Sequence, residues 1–260
     1  MKPAFHTDEG TGTPLLLVHA FPLTSAMWEA QRLRLRGHCR VLTFDIPGFG
    51  RGGPVFPDQS IDHCADMAVA LLDELGIERA VLCGCSMGGY IALGVLRRHP
   101  ARLARLILAN TRVGADSEEG AAGRMAQIER IRAGEFAAVL DGMRPRLLGA
   151  TTHETAPEVP RLVEDITAMA TPEGAIAMLR AMAQRPDSTE ALRHCPVPVL
   201  SIGGAEDVLI PPSEAEHIAA LAPDATLRII QLAGHLSNLE RPAKFTDAVK
   251  EFLLRCESPG

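Results

Sequence analysis

One short pattern constrains the fold of this chain more than any other: Gly84-x-Ser86-x-Gly88. The apolar run at residues 80–83 is typical of a buried strand, and residues 90–99 follow a helical pattern. A serine on so sharp a strand-to-helix turn is held in a sparsely populated backbone conformation, and the flanking glycines let neighbouring backbone approach closely. The pattern predicts a nucleophile at a helix N-terminus, where free N–H groups and the helix dipole face any oxyanion beside Ser86.

Apolar runs typical of strands alternate with helical patterns along most of the chain. The strand predictions cover residues 15–18, 40–44, 80–83, 103–109, 199–203 and 226–232. Because each run is continuously apolar, we expect a mostly parallel sheet covered by helices on both faces. Among the helix predictions, residues 213–216 form a capping box that opens one helix, and residues 242–254 form the last.

The alternation stops in the middle of the chain. Between about residues 112 and 188 only helical patterns occur. We therefore expect residues 1–111 and 189–260 to form an α/β core and residues 112–188 to form an all-helical cap inserted into it. In parallel sheets, sites form at the carboxyl ends of the strands. The cap leaves from that level and returns to it, so the prediction places it over the site.

The composition of the chain excludes several classes of function. Its 260 residues contain 47% hydrophobic and 22% charged residues, as in a soluble globular protein, and its net charge of −6 argues against nucleic acid or an anionic membrane as partner. No apolar run approaches the roughly 20 residues of a membrane span. Residues 1–6 lack a signal-peptide core, so we expect a cytoplasmic protein whose six cysteines are reduced thiols.

A serine hydroxyl becomes a strong nucleophile when a base removes its proton and a third group orients that base. His235 directly follows the predicted strand at residues 226–232, and Asp207 follows the strand at residues 199–203. Glu206 is the alternative acid, whereas the end of the preceding strand carries the uncharged Asn110. The chain order Ser86, Asp207, His235 is the order of an α/β-hydrolase triad.

The chain resembles capped α/β-hydrolases over essentially its whole length. The resemblance is carried by residues 19–22, 45–50, 84–88, 204–207 and 234–235, in the order that family shows. Within the superfamily the chain is most similar to 3-oxoadipate enol-lactonases and small carboxylesterases, on residues 19–23, 27–28, 85–89 and 234–240. The resemblance implies an α/β-hydrolase fold with a helical cap.

The resemblance also implies an oxyanion hole made of two backbone N–H groups, those of Phe21 and Met87. Ala20 stands where the family usually has glycine. Because both donors belong to the main chain, alanine is tolerated there if its backbone angles stay in an allowed region. His19 is expected to brace this loop through hydrogen bonds.

These residues predict hydrolysis of a small ester or lactone through an acyl-enzyme on Ser86, without metal or organic cofactor. Two alternatives remain open. A cofactor-free perhydrolase or haloperoxidase uses the same triad with peroxide as acyl acceptor, and a hydrolase-like receptor binds its ligand with little turnover. The sequence makes no prediction of oligomeric state.

The predicted cap contains flexible and basic side chains suited to a substrate pocket. Methionine adapts to irregular apolar ligands, although packing between cap helices explains the same residues. Arg112 and Arg146 are further arginines able to pair with a substrate carboxylate, with a solvated surface role as the alternative. The residues predicted for the pocket are Met125, Met143, Met178, Arg144 and His153.

Overall fold

The computed structural model of the chain describes residues 2–255. Its strands are β1 (His6–Glu9), β2 (Pro14–Val18), β3 (Arg40–Phe44), β4 (Ala80–Cys85), β5 (Leu103–Ala109), β6 (Val199–Gly204) and β7 (Ala225–Ile230). They form one sheet in the order β1-β3-β2-β4-β5-β6-β7. All neighbours pair in parallel except β1, which runs antiparallel to β3. The sheet is therefore mostly parallel, as predicted.

Helices connect these strands. Within the described residues they are α1 (Glu29–Leu35), α2 (Ile61–Glu74), α3 (Met87–Arg98), α4 (Glu118–Arg132), α5 (Phe136–Met143), α6 (Ala150–Thr155), α7 (Glu158–Thr167), α8 (Pro172–Ala183), α9 (Thr189–Arg193), α10 (Pro212–Leu221), α11 (Ser237–Glu240) and α12 (Pro242–Leu254). Between β5 and β6 the described chain contains helices but no strand, only an isolated bridge from Phe49 to Ala170. The division into a core and a cap at residues 112–188 remains a prediction.

The central strands bury side chains on both faces of the sheet. Along β2, Leu16 and Val18 join a core cluster that includes residues of α2 and α3. Leu15 and Leu17 point to the opposite face and join a second cluster with residues of α1 and α12. Because successive side chains of a strand alternate between faces, a continuous apolar run feeds both clusters at once.

The helical segment between β5 and β6, which we call the helical insertion, contacts the turn that follows β3. Gly48 O accepts hydrogen bonds from the Thr171 N–H at 2.9 Å and from the Thr171 hydroxyl at 3.0 Å. The Gly50 N–H donates to Met169 O at 3.0 Å. Gly48 has a φ of 90°, and a Cβ there would lie 2.3 Å from the Cα of Gly174. This contact therefore requires glycine at position 48.

Two local predictions need correction. The strand predictions do not include His6–Glu9, where β1 pairs with β3 at the edge of the sheet. The capping box at residues 213–216 is wrong, because α10 begins at Pro212 and Pro211 is its N-cap, without a side-chain cap hydrogen bond. Proline suits the first helical position because its missing N–H is one that the helix leaves unpaired.

The turn between β4 and α3 depends on unusually close backbone packing. A Cβ at position 84 would lie 2.1 Å from the carbonyl oxygen of Gly88. A Cβ at position 88 would lie 2.2 Å from the carbonyl oxygen of Val18 on β2. Backbone atoms on both sides leave no flexible group to move aside. The two glycines thus let α3 begin directly against the ends of β4 and β2.

Gly84→Ala should lower the free energy of unfolding by about 1–3 kcal/mol or more, because the added methyl group forces the backbone of the turn apart. Gly123 on α4 is the matched control, since a Cβ there meets nothing within 4 Å. Gly123→Ala should stabilise the protein by up to about 1 kcal/mol through helix propensity. Urea unfolding of the three proteins tests this contrast, and equal midpoints for Gly84→Ala and wild type would contradict it.

Candidate active site

Ser86 lies at the junction of β4 and α3, in a backbone conformation that L-residues rarely adopt. Its φ is 52° and its ψ is −113°, and it is the N-cap residue of α3. The Ser86 N–H donates to Ala109 O at 2.8 Å, while its carbonyl accepts from the Gly89 N–H and the Thr111 hydroxyl, each at 2.8 Å. These bonds hold the strained residue in place, so its hydroxyl faces the carboxyl edge of the sheet.

The structure brings Ser86, His235 and Asp207 together in one hydrogen-bonded chain. His235 Nε2 lies 2.9 Å from Ser86 Oγ, and His235 Nδ1 lies 2.8 Å from Asp207 Oδ2. An ionised carboxylate only accepts, so Nδ1 carries the ring proton and donates it to Asp207. Nε2 is then free to accept from the Ser86 hydroxyl. This is the tautomer that a general base needs.

Asp207 is held as a carboxylate although it is only 4% exposed. Burial raises the pKa of Asp207, but the electrostatic attraction of the His235 imidazole and its hydrogen bond lower it, so that the net pKa lies below its ordinary value. The Ile210 N–H and the Asn110 amide also lower it. Asp207 Oδ1 accepts from the Leu209 and Ile210 N–H groups, both at 2.9 Å. The carboxylate is thereby fixed towards the imidazole.

Glu206, the alternative acid, faces away from this chain of hydrogen bonds. Its side chain accepts from the Thr151 hydroxyl at 2.5 Å and from the Thr151 N–H at 2.9 Å. These two bonds lower the pKa of Glu206. Glu206 therefore contacts the helical insertion, and Asp207 is the acid that contacts His235.

Asn110 belongs to the site, although the sequence drew attention to it only as a position without charge. Its Nδ2 donates to Asp207 Oδ2 at 3.0 Å and to Gly234 O at 3.1 Å. Its Oδ1 accepts from the Ser237 hydroxyl at 2.6 Å. The amide thus connects Asp207 to the loop that carries His235. The one available signal was a polar residue at the end of β5.

The predicted oxyanion donors lie at the edge of the same site. Among residues 2–255, neither the Phe21 N–H nor the Met87 N–H donates a hydrogen bond to a protein acceptor. Phe21 lines the cavity that contains Ser86, and Met87 is the first residue of α3. In the described part of the chain the non-glycine residues with positive φ do not include Ala20. Ala20 therefore avoids the positive-φ region, as the sequence analysis required for an alanine at this position.

His19 braces the loop before Phe21. It is fully buried; its Nε2 accepts from the Ile46 N–H at 3.0 Å, so its Nδ1 carries the proton and donates to Ala20 O at 3.0 Å. Burial lowers the pKa of His19, and this outweighs Asp45 and the Ala20 carbonyl, which raise it. The neutral ring therefore joins the ends of β2 and β3.

A cavity of about 340 Å³ opens onto Ser86 and His235. Met143, from the predicted pocket, is part of its wall. The apolar part of the wall consists of Phe21, Tyr90, Val139, Met143, Leu147, Met182, Leu209 and Ile210. Its charged residues are Arg112, Asp116, Arg124, Arg130 and Arg146.

Four residues predicted for the pocket lie elsewhere. Met125 is 38% exposed, and Met178 is buried with its sulfur 3.2 Å from Gln59 Nε2. Residues four apart share a helix face, so Met182 lies on the same face of α8 as Met178, one turn later. Met182 is the one that lines the cavity. Arg144 and His153 line a separate cavity of about 270 Å³ between α5 and α7. There, Arg144 donates to the Thr167 hydroxyl at 2.8 Å.

The described residues were also compared with the requirements of metal and thiol sites. In residues 2–255, no group of three or more His, Cys, Asp or Glu side chains is arranged to hold a metal ion. Cys39, Cys64, Cys83, Cys85 and Cys195 are buried and free, and burial raises the pKa of Cys39 to about 11 and of Cys64 to about 12. Cys256 lies outside the described residues. Within residues 2–255, every helix falls short of the length or the hydrophobicity of a membrane span.

Comparison with known proteins relates this site to one family. A sequence model of the alpha/beta hydrolase family matches residues 15–248. 3-Oxoadipate enol-lactonase 2 from Acinetobacter baylyi is 27% identical over 254 residues, which cover 98% of this chain and 90% of that protein.

Two solved structures are similar over nearly the whole chain. A thermophilic esterase from Thermogutta terrifontis, studied with malate bound, is 38% identical with a TM-score of 0.94, over 98% of this chain and 94% of that one. The enol-lactonase from Burkholderia xenovorans is 28% identical with a TM-score of 0.86, over 96% of this chain and 95% of that one.

The buried neutral His19 should make the stability of the fold depend on pH. Because the folded pKa of His19 is lowered, the unfolded chain binds a proton that the folded chain does not. The free energy of unfolding should therefore decrease as pH falls below about 6.5, the ordinary pKa of histidine.

His19→Gln should reduce this dependence on pH, since an amide cannot take up the proton. The exposed His217 provides the control, and His217→Gln should leave the dependence as in wild type. Urea unfolding between pH 5 and 8 measures all three proteins. An identical pH dependence in wild type and His19→Gln would show that His19 is not the group responsible.

Proposed function

The chain belongs to the alpha/beta hydrolase family, and we propose that it hydrolyses carboxylic esters or lactones through an acyl-enzyme on Ser86. The hydrogen-bonded chain from Ser86 through His235 to Asp207, inside a cavity of substrate size, is the observation that carries this proposal. The similarity to an esterase and to enol-lactonases supports the same reaction type. The reaction needs no metal or organic cofactor.

In the first half of the proposed reaction, Ser86 Oγ attacks the carbonyl carbon as its proton passes to His235 Nε2. The resulting oxyanion accepts hydrogen bonds from the Phe21 and Met87 N–H groups, and the dipole of α3 favours the same charge. Protonated His235, stabilised by Asp207, then gives its proton to the leaving oxygen. The C–O bond breaks and the acyl group remains on Ser86.

In the second half, water attacks the acyl carbon while His235 accepts one of its protons. The tetrahedral intermediate uses the same N–H groups, and the proton returns to Ser86 Oγ as the acid leaves. For a lactone, the leaving oxygen of the first half stays attached to the acyl chain, so the single product is a hydroxy acid. For an enol lactone, the released enol acid becomes its keto tautomer. Repeated turnover of this kind separates an enzyme from a hydrolase-like receptor.

The charges on the cavity wall favour a substrate that carries a carboxylate. Four arginines line the cavity, against Asp116 as the one acid among its described lining residues, in a chain with net charge −6. Burial raises the pKa of Asp116, but Arg124 and Arg185 lower it below its ordinary value. Asp116 is therefore an anion already shared by two guanidinium groups.

Among the described residues, two of the four arginines have no carboxylate within hydrogen-bond distance. Arg112 donates to Leu209 O at 3.1 Å, but its buried Nε has no hydrogen-bond partner and lies 3.9 Å from Glu214. Arg146 is exposed and makes no side-chain hydrogen bond or salt bridge within residues 2–255. Arg130, by contrast, donates to Glu135 at 2.8 Å. We propose that Arg112 and Arg146 receive a carboxylate remote from the reacting carbonyl.

Ser86→Ala should lower kcat on p-nitrophenyl acetate by about 10³-fold or more because it removes the attacking hydroxyl. Asp207→Asn should lower it by about 10⁴-fold because an amide favours the wrong tautomer of His235. Ser60→Ala is the control serine, since Ser60 caps α2 through the His63 N–H. It should keep kcat while losing about 1 kcal/mol of stability. A fluorophosphonate probe should label wild type at Ser86 only. Wild-type turnover by Ser86→Ala would refute the proposed reaction.

Arg112→Gln and Arg146→Gln should each lower kcat/KM for the p-nitrophenyl monoester of glutaric acid by about 10- to 100-fold, the worth of a charged hydrogen bond. The same variants should leave kcat/KM for p-nitrophenyl pentanoate, a neutral ester with the same acyl chain length, nearly unchanged. Arg193→Gln, at an exposed arginine outside the cavity wall, is the control. Equal effects on both esters would contradict a carboxylate site.

A further inference from the structure

Glu240 is a buried carboxylate that the proposed reaction does not use. It is 4% exposed and ends α11. Its Oε1 accepts from the Gly234 N–H at 2.8 Å. Its Oε2 accepts from the Gly149 N–H at 2.8 Å and from the Thr152 hydroxyl at 2.7 Å. One side chain therefore joins the residue that precedes His235 to the first turn of α6 in the helical insertion.

These contacts leave both oxygens of Glu240 hydrogen-bonded. Each oxygen faces a backbone N–H, and such a group only donates. A buried polar group is costly unless it is hydrogen-bonded. Moving Gly149 or Gly234 away would leave a desolvated carboxyl oxygen without its backbone donor. The two backbone segments are therefore held together through the Glu240 side chain.

A direct hydrogen bond links the same two segments on the other side of His235. The Leu236 N–H donates to Leu147 O at 3.1 Å. Between the two links the backbones touch, since a Cβ on Gly234 would lie 2.3 Å from the nitrogen of Gly149. The residues immediately before and after His235 are thus both fixed to one stretch of the insertion.

We propose that Glu240 is a positioning residue for His235 and couples this base to the wall of the substrate cavity. Leu147 and Met143 are part of that wall. A substrate that packs against them therefore contacts the segment that holds the His235 loop. The inference rests on the function proposed above, because it concerns the placement of the base in that reaction.

Glu240→Gln tests the proposal with almost no change of shape. Glutamine has one acceptor oxygen, so either Gly149 or Gly234 must face an NH₂ group instead. The loop then loses its fixed position, and kcat on p-nitrophenyl acetate should fall by about 10- to 100-fold, as expected for a base displaced by about 1 Å. KM should change by less than about threefold, because the cavity wall itself is intact.

Thr152→Val is the matched control. It removes the hydroxyl that binds Glu240 from the insertion but leaves the contacts to Gly149 and Gly234. Its kcat should stay within about twofold of wild type while its urea midpoint falls. Equal losses of kcat in both variants would overturn the proposal, and so would a folded Glu240→Gln with wild-type kcat. An inactive wild-type protein would instead refute the proposed function.

Hydrogen exchange of the wild-type protein gives a second test that needs neither a folded variant nor activity. The amides of Gly149 and Gly234 share one acceptor group, so both should open together and show protection within about tenfold of each other. Exchange at Gly149 that is about 100-fold or more faster than at Gly234 would show that the insertion separates freely from the His235 loop. That result would overturn the proposal.

Discussion

The contact of Gly84 with Gly88, together with that of Gly88 with Val18, is the constraint on which the rest of the site depends. It lets a helix begin within one residue of the end of a central strand, with Ser86 at the junction. The neighbouring parallel strands end at the same edge of the sheet, so the loops after β6 and β7 bring their side chains to this serine. Larger residues at these two glycines would separate the helix from the sheet.

Much of this arrangement was predictable because it follows from patterns that depend on few partners. Continuous apolar runs such as Leu15–Leu17 indicate strands buried on both faces, whatever packs on them. A residue that directly follows a parallel strand lies at the edge formed by the carboxyl ends of the strands. Asp207 and His235 are predicted for the site on that basis. The helix at Pro242–Leu254 has the predicted bounds, because proline favours the start and amphipathic spacing defines the rest.

The remaining features depend on neighbours that are distant in sequence. β1 is a short edge strand of polar residues, so it lacks the apolar run that marks the others. Asn110 gains its role only because Asp207, Gly234 and Ser237 meet its amide. The cavity wall depends on which turn of α8 faces the site, and the sequence did not distinguish Met178 from Met182 in this respect. Local sequence patterns therefore predict the fold more fully than they predict the residues of the pocket.

The backbone of Ser86 has a φ of 52° and a ψ of −113°. Glycine adopts this conformation without strain, whereas serine is strained there by about 1–3 kcal/mol. At this one position, the stability of the fold favours glycine, whereas the proposed reaction requires serine. Selection for a longer-lived fold alone would favour glycine there and would remove the proposed nucleophile. Serine at this bend therefore fits a stability–activity trade-off, in which the proposed reaction rather than the folding of the chain maintains the strained residue.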